Sequence, residues 1–145
     1  MYNLLINAPQ LQTLLAQGAD ILDIGGESSR PGADPVSVEE ELNRILPFLR
    51  EALTWNIPIS VDTYKPEVMQ AALDMGADIV NDIWALRQAG ALQVVSQHGQ
   101  CGVCLMHMHR DPQTMLEQPM AGDVLEPIKN FVSQQVSDLM ACGLQ

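Results

Sequence analysis

The fold of this 145-residue chain is decided by the stretch Gly18-Ala19-Asp20-Ile21-Leu22-Asp23-Ile24-Gly25-Gly26-Glu27-Ser28-Ser29-Arg30-Pro31-Gly32. Residues 20–24 form a short, partly β-branched apolar run that two glycines close, which is typical of a buried strand. Later runs of the same kind lie at residues 57–62, 78–83 and 102–108. The chain therefore predicts four strands.

Segments of helical period separate these runs. The signals that begin these helices are Pro9, the capping box Ser37-Val38-Glu39-Glu40, Pro66, and Asp123 with Glu126. The first, third and fourth helices end at Gly18, Gly76 and Gly99. Strands that helices separate need crossover connections, so the sheet is expected to be parallel. The sequence Gly18-Ala19-Asp20-Ile21 recurs as Gly76-Ala77-Asp78-Ile79, which fits an eight-fold barrel or a doubly wound sheet equally well.

Composition narrows the class of protein. Apolar residues make up 47% of the chain, and 18 acidic against 7 basic side chains give a net charge of −11. This charge argues against nucleic-acid and anionic-membrane partners, because clustered Lys and Arg hold phosphate groups. We find no apolar run of membrane-spanning length and no basic region of a secretory signal at the start. Three cysteines do not make a disulfide scaffold, so we expect a cytoplasmic protein with one domain over residues 1–145.

Polar side chains gather where the predicted strands end. Asp62 closes the second strand, Asn81 the third and His107 the fourth, while residues 25–32, called here the glycine–serine loop, follow the first. In parallel α/β proteins, ligands bind at the carboxyl ends of the strands. This pattern predicts a binding site at that edge of the sheet.

Asp62 and Asn81 together could bind the edge of a flat heterocycle such as a pterin or guanine, since a carboxylate accepts hydrogen bonds and an amide also donates them. The alternative is that Asp62 caps the helix that Pro66 opens and that Asn81 satisfies a turn. Asp23 lies within a strand, where a charge must be paired, and we interpret it as structural support.

The glycine–serine loop has the composition of a mobile anion-binding loop. The planar guanidinium of Arg30 suits phosphate or carboxylate oxygens, and the hydroxyls of Ser28 and Ser29 can donate to the same anion. The alternative is a surface loop in which Arg30 pairs with Glu27 or Glu39.

Two cysteines and two histidines near the fourth strand look like a metal or redox cluster: Cys101, Cys104, His107 and His109. Strand alternation, however, sends Cys104 to the opposite face from the histidines. We therefore interpret Cys104 and Met106 as packing groups and His107 as a hydrogen-bonded residue at the rim, and we assign no metal ligand.

Four segments in the same order resemble the dihydropteroate synthases. They are residues 18–32, Ser60-Val61-Asp62-Thr63-Tyr64-Lys65-Pro66, Ile79-Val80-Asn81-Asp82-Ile83 and Cys104-Leu105-Met106-His107-Met108. The resemblance implies an α/β fold that is part of a (β/α)8 TIM barrel, with about four of its parallel strands and alternating helices. It also implies condensation of 6-hydroxymethyl-7,8-dihydropterin pyrophosphate with p-aminobenzoate, with Mg²⁺ as cofactor, in a homodimeric enzyme of folate synthesis.

The resemblance also implies roles for single residues. Asp62 and Asn81 match the pterin-binding side chains, and Met106 matches a wall of the pocket. Ser29 and Arg30 match a mobile loop that contacts the pyrophosphate, which makes them the candidate catalytic residues. Pro31 matches a residue that lies against the aminobenzoate.

The departures from the family concern what is missing. The family's first strand, its first mobile loop, which supplies an asparagine ligand to magnesium, and its last three strands have no counterpart here. We therefore predict that this chain alone is inactive. The alternatives are a pterin-binding methyltransferase domain, a non-catalytic half-barrel that binds a partner through its open edges, and a metal-binding module around Cys101, Cys104, His107 and His109.

Overall fold

A computed structural model describes residues 13–30, 32–111, 114 and 119–144. In this part of the chain, four parallel strands pair in sequence order: β1 (Leu22–Gly25), β2 (Ile59–Asp62), β3 (Ile79–Asp82) and β4 (Gly102–Leu105). The helices between and after them are α1 (Val38–Ala52), which a 3₁₀ turn at Leu53–Trp55 continues, α2 (Pro66–Met75), α3 (Ala91–Gln97) and α4 (Leu125–Ala141). The predicted alternation of parallel strands and helices is confirmed.

The helix boundaries follow from the signals in the sequence. Ser37 caps α1, since its hydroxyl accepts a hydrogen bond from the backbone N–H of Glu40 at 3.1 Å, as the capping box predicts. Pro66 occupies the first turn of α2, where its missing N–H costs little. Pro9 lies outside the described residues, but residues 13–16 are helical.

The repeated sequence Gly-Ala-Asp-Ile forms the same helix end twice. Gly18 and Gly76 both have positive φ angles, of 92° and 107°. The N–H of the alanine after each glycine donates back into the preceding helix, from Ala19 to the carbonyl of Leu14 at 3.1 Å and from Ala77 to that of Ala72 at 3.0 Å. Glycine is favoured at this position because it adopts the left-handed conformation without steric cost.

The core lies between one face of the sheet and the helices. Alternate strand residues point toward α1, α2 and α3 and are buried, namely Leu22, Ile24, Ile59, Val61 and Val80. The residues between them form the other face of the sheet, called here the open face. Cys104 lies on the open face and is exposed, so the interpretation of Cys104 as a packing group does not hold in the described part of the chain.

Helix α4 packs differently from the others. None of its 17 residues, all of which the structure describes, is buried. An apolar stripe along it remains exposed, at Leu125, Val132, Val136 and Met140. Leu139 and Leu144, at its end, reach the cluster beneath α3. Among the described helices, none is long and apolar enough to cross a lipid bilayer.

The first prediction concerns Gly26, on which α1 packs directly. A Cβ atom at Gly26 would lie 2.8 Å from Cγ of Glu41 and 2.9 Å from Cγ2 of Ile45. We expect Gly26→Ala to lower the free energy of unfolding by about 1–3 kcal/mol, because a packed helix must shift to admit the methyl group. Urea denaturation followed by circular dichroism measures this change.

Gly99→Ala is the matched control, because the nearest atom to its added Cβ is the carbonyl oxygen of Ser96 at 3.9 Å. This substitution is expected to change the free energy of unfolding by no more than about 0.5 kcal/mol. Equal effects of the two substitutions would show that the contact of Gly26 with α1 is not tight.

Candidate functional site

Two predicted site residues, Asp62 and Asn81, are direct neighbours. They are register partners at the carboxyl ends of β2 and β3, so both side chains lie on the open face. The backbone N–H of Thr63 donates to the carbonyl of Asn81 at 3.1 Å, which extends the pairing past the strand end. The alternative role of Asp62 as a helix cap is wrong, since the N-cap of α2 is Lys65 and makes no side-chain capping bond.

Asp23 supports Asn81 from across the sheet. The amide Nδ2 of Asn81 donates to Oδ2 of Asp23 at 3.1 Å, although β2 lies between their strands. A buried or half-buried amide needs such a partner to hold one orientation. Asp23 therefore has the supporting role that its position within the strand indicated.

The carboxyl group of Asp62 has an unusual pKa. Burial, together with repulsion from the carboxylates of Asp23, Glu41 and Asp82, raises the pKa of Asp62 to about 6. A carboxyl group of this kind exists in both protonation states near neutral pH. It can therefore accept a hydrogen bond from a ring N–H or share a proton with a ring nitrogen.

Asp82 holds the loop that follows β3 and was not among the predicted site residues. It is fully buried, and its two carboxylate oxygens accept hydrogen bonds from the backbone N–H groups of Trp84 and Leu86, both at 2.7 Å. Ala85 and Leu86 have positive φ angles of 53° and 59°, which are uncommon for residues other than glycine. The bonds to Asp82 keep this strained turn in place.

The glycine–serine loop is fixed at its root by an ion-paired cluster, called here the Lys65 anchor, of Glu27, Glu41 and Lys65. The Nζ atom of Lys65 lies 2.5 Å from Oε2 of Glu27 and 2.5 Å from Oε2 of Glu41. Oε2 of Glu27 also accepts a hydrogen bond from the backbone N–H of Val36 at 2.8 Å. The suggested pairing of Arg30 with Glu27 is therefore replaced by a pairing of Glu27 with Lys65.

The Lys65 anchor also determines local pKa values. Burial alone raises the pKa of Glu27, but hydrogen bonds from Lys65, Val36 and Tyr64 outweigh it and hold that pKa below its usual value. Burial, followed by the hydrogen bond to Glu27, raises the pKa of Tyr64 to about 12. The phenol therefore stays protonated and the Glu27 carboxylate charged at neutral pH.

A small cleft, whose empty space counted together with the open solvent at its mouth is about 210 Å³, joins the anchor to the strand ends. Its lining residues are Glu27, Ser29, Glu41, Asp62, Thr63, Tyr64 and Ile83. Ser29 thus lies in the same cleft as Asp62, whereas Ser28 and Arg30 are exposed beside it. Pro31 lies outside the described residues.

The residues after β4 lie apart from this cleft. Met106 is 37% exposed on the open face and is not among the lining residues of the cleft in the described part of the chain. The ring of His107 meets that of Phe131 edge to face, with centroids 5.1 Å apart. Over the described ranges, no group of three or more His, Cys, Asp or Glu residues could hold a metal ion.

The chain is similar to known proteins in both sequence and structure. A family model described as a pterin binding enzyme matches residues 7–145. The dihydropteroate synthase of Neisseria meningitidis serogroup B is 43% identical over 134 residues, which cover 92% of this chain and 47% of that protein.

Solved structures are similar as well. The Burkholderia cenocepacia dihydropteroate synthase, complexed with 7,8-dihydropteroate, has a TM-score of 0.86 and 47% identity, covering 93% of this chain and 48% of its own. The Xanthomonas albilineans dihydropteroate synthase with 4-aminobenzoic acid has a TM-score of 0.82 and 42% identity, covering 92% of this chain and 47% of its own. The chain thus spans about half the length of the curated relatives it matches. The predicted fold class, a partial (β/α)8 barrel, is confirmed.

The second prediction follows from the raised pKa of Asp62. Because the folded state binds this proton more tightly than the unfolded state, the stability associated with it is complete below about pH 4 and is lost as the pH rises through about 6. Asp62→Asn removes the charge and keeps the shape. We expect it to stabilise the fold by about 1–2 kcal/mol at pH 7.5 and by much less at pH 4.

Urea denaturation across this pH range measures the difference between the two proteins. Asp34→Asn is the control, since Asp34 is an exposed carboxylate outside the cleft. A gap between wild type and Asp62→Asn that is the same at pH 4 and pH 7.5 would contradict the raised pKa.

Proposed function

The chain belongs to the pterin binding enzyme family, and we propose on this basis that it forms the pterin-binding half of a dihydropteroate synthase. The proposed reaction joins the methylene carbon of 6-hydroxymethyl-7,8-dihydropterin pyrophosphate to the amine of p-aminobenzoate and releases pyrophosphate, in folate biosynthesis. The observation that carries the proposal is the pairing of Asp62 with Asn81 at the ends of two adjacent strands.

The pair suits the polar edge of a pterin. That edge presents ring N–H and amino donors beside a carbonyl acceptor. The Asp62 carboxylate supplies acceptors for the donors, and the Asn81 amide, held by Asp23, can contact the ring from the adjacent strand. Burial of Asp62 strengthens such bonds, because the surroundings screen charge less than water does.

Ser29 and Arg30 are proposed to hold the pyrophosphate as it leaves. Ser29 lines the cleft, and Arg30 is exposed on the loop that borders it. As the C–O bond breaks, negative charge grows on the leaving group, and a guanidinium with hydroxyl donors stabilises it. Ser28 and Pro31 are proposed to contact the same substrates from this loop, and Met106 to form a pocket wall once the rest of the barrel encloses the open face.

The described residues offer no site for Mg²⁺. The donor groups of the described residues do not fit a metal site, since no cluster of three or more ligand side chains occurs among them. We also propose that the whole enzyme is a homodimer and that it is located in the cytoplasm. The second of these is supported by Cys101, Cys104 and Cys142, all of which are free thiols.

The third prediction tests pterin binding directly by calorimetry with 6-hydroxymethyl-7,8-dihydropterin. We expect Asp62→Ala to weaken binding by about 10–100-fold, because a hydrogen bond to a charged group is lost. Asp34→Ala, an exposed change outside the cleft, is expected to leave the affinity within about twofold of wild type. Unchanged affinity in Asp62→Ala would refute the proposal, and preference for a methylated folate over the pterin pyrophosphate would favour a methyltransferase.

The fourth prediction concerns turnover. The described sheet has four strands, and a closed barrel of this class has eight. We expect the 145-residue chain, supplied with both substrates and Mg²⁺, to form no dihydropteroate above background. Chromatographic detection of the product gives the result, and measurable turnover would overturn the expectation.

A further inference from the structure

The root of the glycine–serine loop is held much more firmly than its tip. At the root, the carbonyl of Gly26 accepts a hydrogen bond from Nη1 of Arg44 at 2.9 Å, and Gly26 itself is packed tightly under α1. Glu27 is bound to Lys65 and to the backbone of Val36. At the tip, the backbone N–H of Arg30 lies 3.4 Å from Oγ of Ser28, a long contact, and one backbone hydrogen bond runs from the N–H of Ala33 to the carbonyl of Arg30 at 3.1 Å. The side chains of Ser28 and Arg30 are exposed.

The Lys65 anchor connects this root to the strand that carries Asp62. Lys65 follows Asp62 by three residues, while Glu27 precedes Ser29 by two. Glu41 belongs to α1, so the anchor joins three separate elements through one ammonium group. The position of Ser29 and Arg30 relative to Asp62 therefore depends on Lys65.

The charges of the anchor do not balance, and this makes Lys65 hard to replace. The side chains of Lys65 and Glu27 are 12% exposed and that of Glu41 only 1%, so two carboxylates share one cation away from water. Oε1 of Glu41 is buried without a hydrogen-bond partner among the described residues. Loss of the ammonium group would leave two buried like charges, which repel each other and separate.

We propose that Lys65 is a positioning residue that holds the glycine–serine loop, through Glu27, in place to contact the pyrophosphate of the substrate. This inference rests on the proposed function and adds to it the group that couples the two parts of the substrate site. Lys65 acts through Glu27 and Glu41 and not on the reacting atoms.

The test compares Lys65→Met, Lys65→Arg and Lys129→Met with wild type. Methionine keeps the side-chain stem and removes the charge, and arginine can still bridge two carboxylates. Lys129 is the control, because it forms an exposed ion pair with Glu126 on α4. If Lys65→Met does not fold, Glu27→Gln replaces it, since it weakens the same pair and keeps the side-chain shape.

One arm needs no ligand. Hydrogen exchange of the backbone amides of residues 26–30, 32–34 and 36 is expected to speed up by about tenfold or more in Lys65→Met and to recover in Lys65→Arg, while Lys129→Met stays at the wild-type rate. Unchanged exchange in Lys65→Met overturns the anchor, whatever the chain binds.

The other arm measures the affinity of each protein for 6-hydroxymethyl-7,8-dihydropterin and for its pyrophosphate ester. Lys65→Met is expected to bind the ester about tenfold more weakly and the unesterified pterin within about twofold of wild type, with recovery in Lys65→Arg. The positioning role is overturned if Lys65→Met loses the same affinity for both ligands or loses none. It is also overturned if the wild-type chain binds the ester and the unesterified pterin with equal affinity. A wild-type chain that binds neither ligand contradicts the proposed function, and the exchange arm still decides whether Lys65 fixes the loop.

Discussion

The in-register parallel pairing of β1, β2 and β3 is the constraint on which the site depends. It aligns Gly25 with Asp62 and Asp62 with Asn81, so three consecutive strands end at one level. The pleat then sends the polar side chains to the open face and their apolar neighbours toward the helices. A site assembled from backbone hydrogen bonds in this way is as rigid as the sheet itself.

Crowding of negative charge is the main electrostatic feature of the site. Five carboxyl groups influence one another there, on Asp23, Glu27, Glu41, Asp62 and Asp82. Four of them have specific donors in side chains or backbone N–H groups. Burial first, and then the repulsion that these partners leave uncompensated, raises the pKa of Asp62, so the electrostatic cost of the arrangement falls on the group proposed to bind substrate.

The sequence contained most of the fold and part of the site. Strand ends, helix caps and the pairing of Asp62 with Asn81 were predictable, because they depend on periodicity and on residue types with one strong local preference. Glu41 was not predicted, because it follows two other glutamates and resembles a solvated first turn. Its signal was its spacing from Ile45 and Leu49, which places it on the buried stripe of α1. The partners of Lys65 lie 24 and 38 residues away, and no local pattern identifies contacts at such separations.

Asn81 and Asp82, which are neighbours at the end of β3, lie on opposite faces of the sheet. Asn81 lies on the open face beside Asp62, while Asp82 is buried and its carboxylate is occupied by the backbone of the following turn. The two residues differ by one side-chain group and one position, yet the alternation of the strand places one on the open face and the other in the interior. A single-residue insertion or deletion before Asn81 in β3 would reverse the faces of the two side chains, which would turn the Asp82 carboxylate to the open face and remove it from beneath the turn. A change of length is therefore tolerated far better in the connecting loops than within β3.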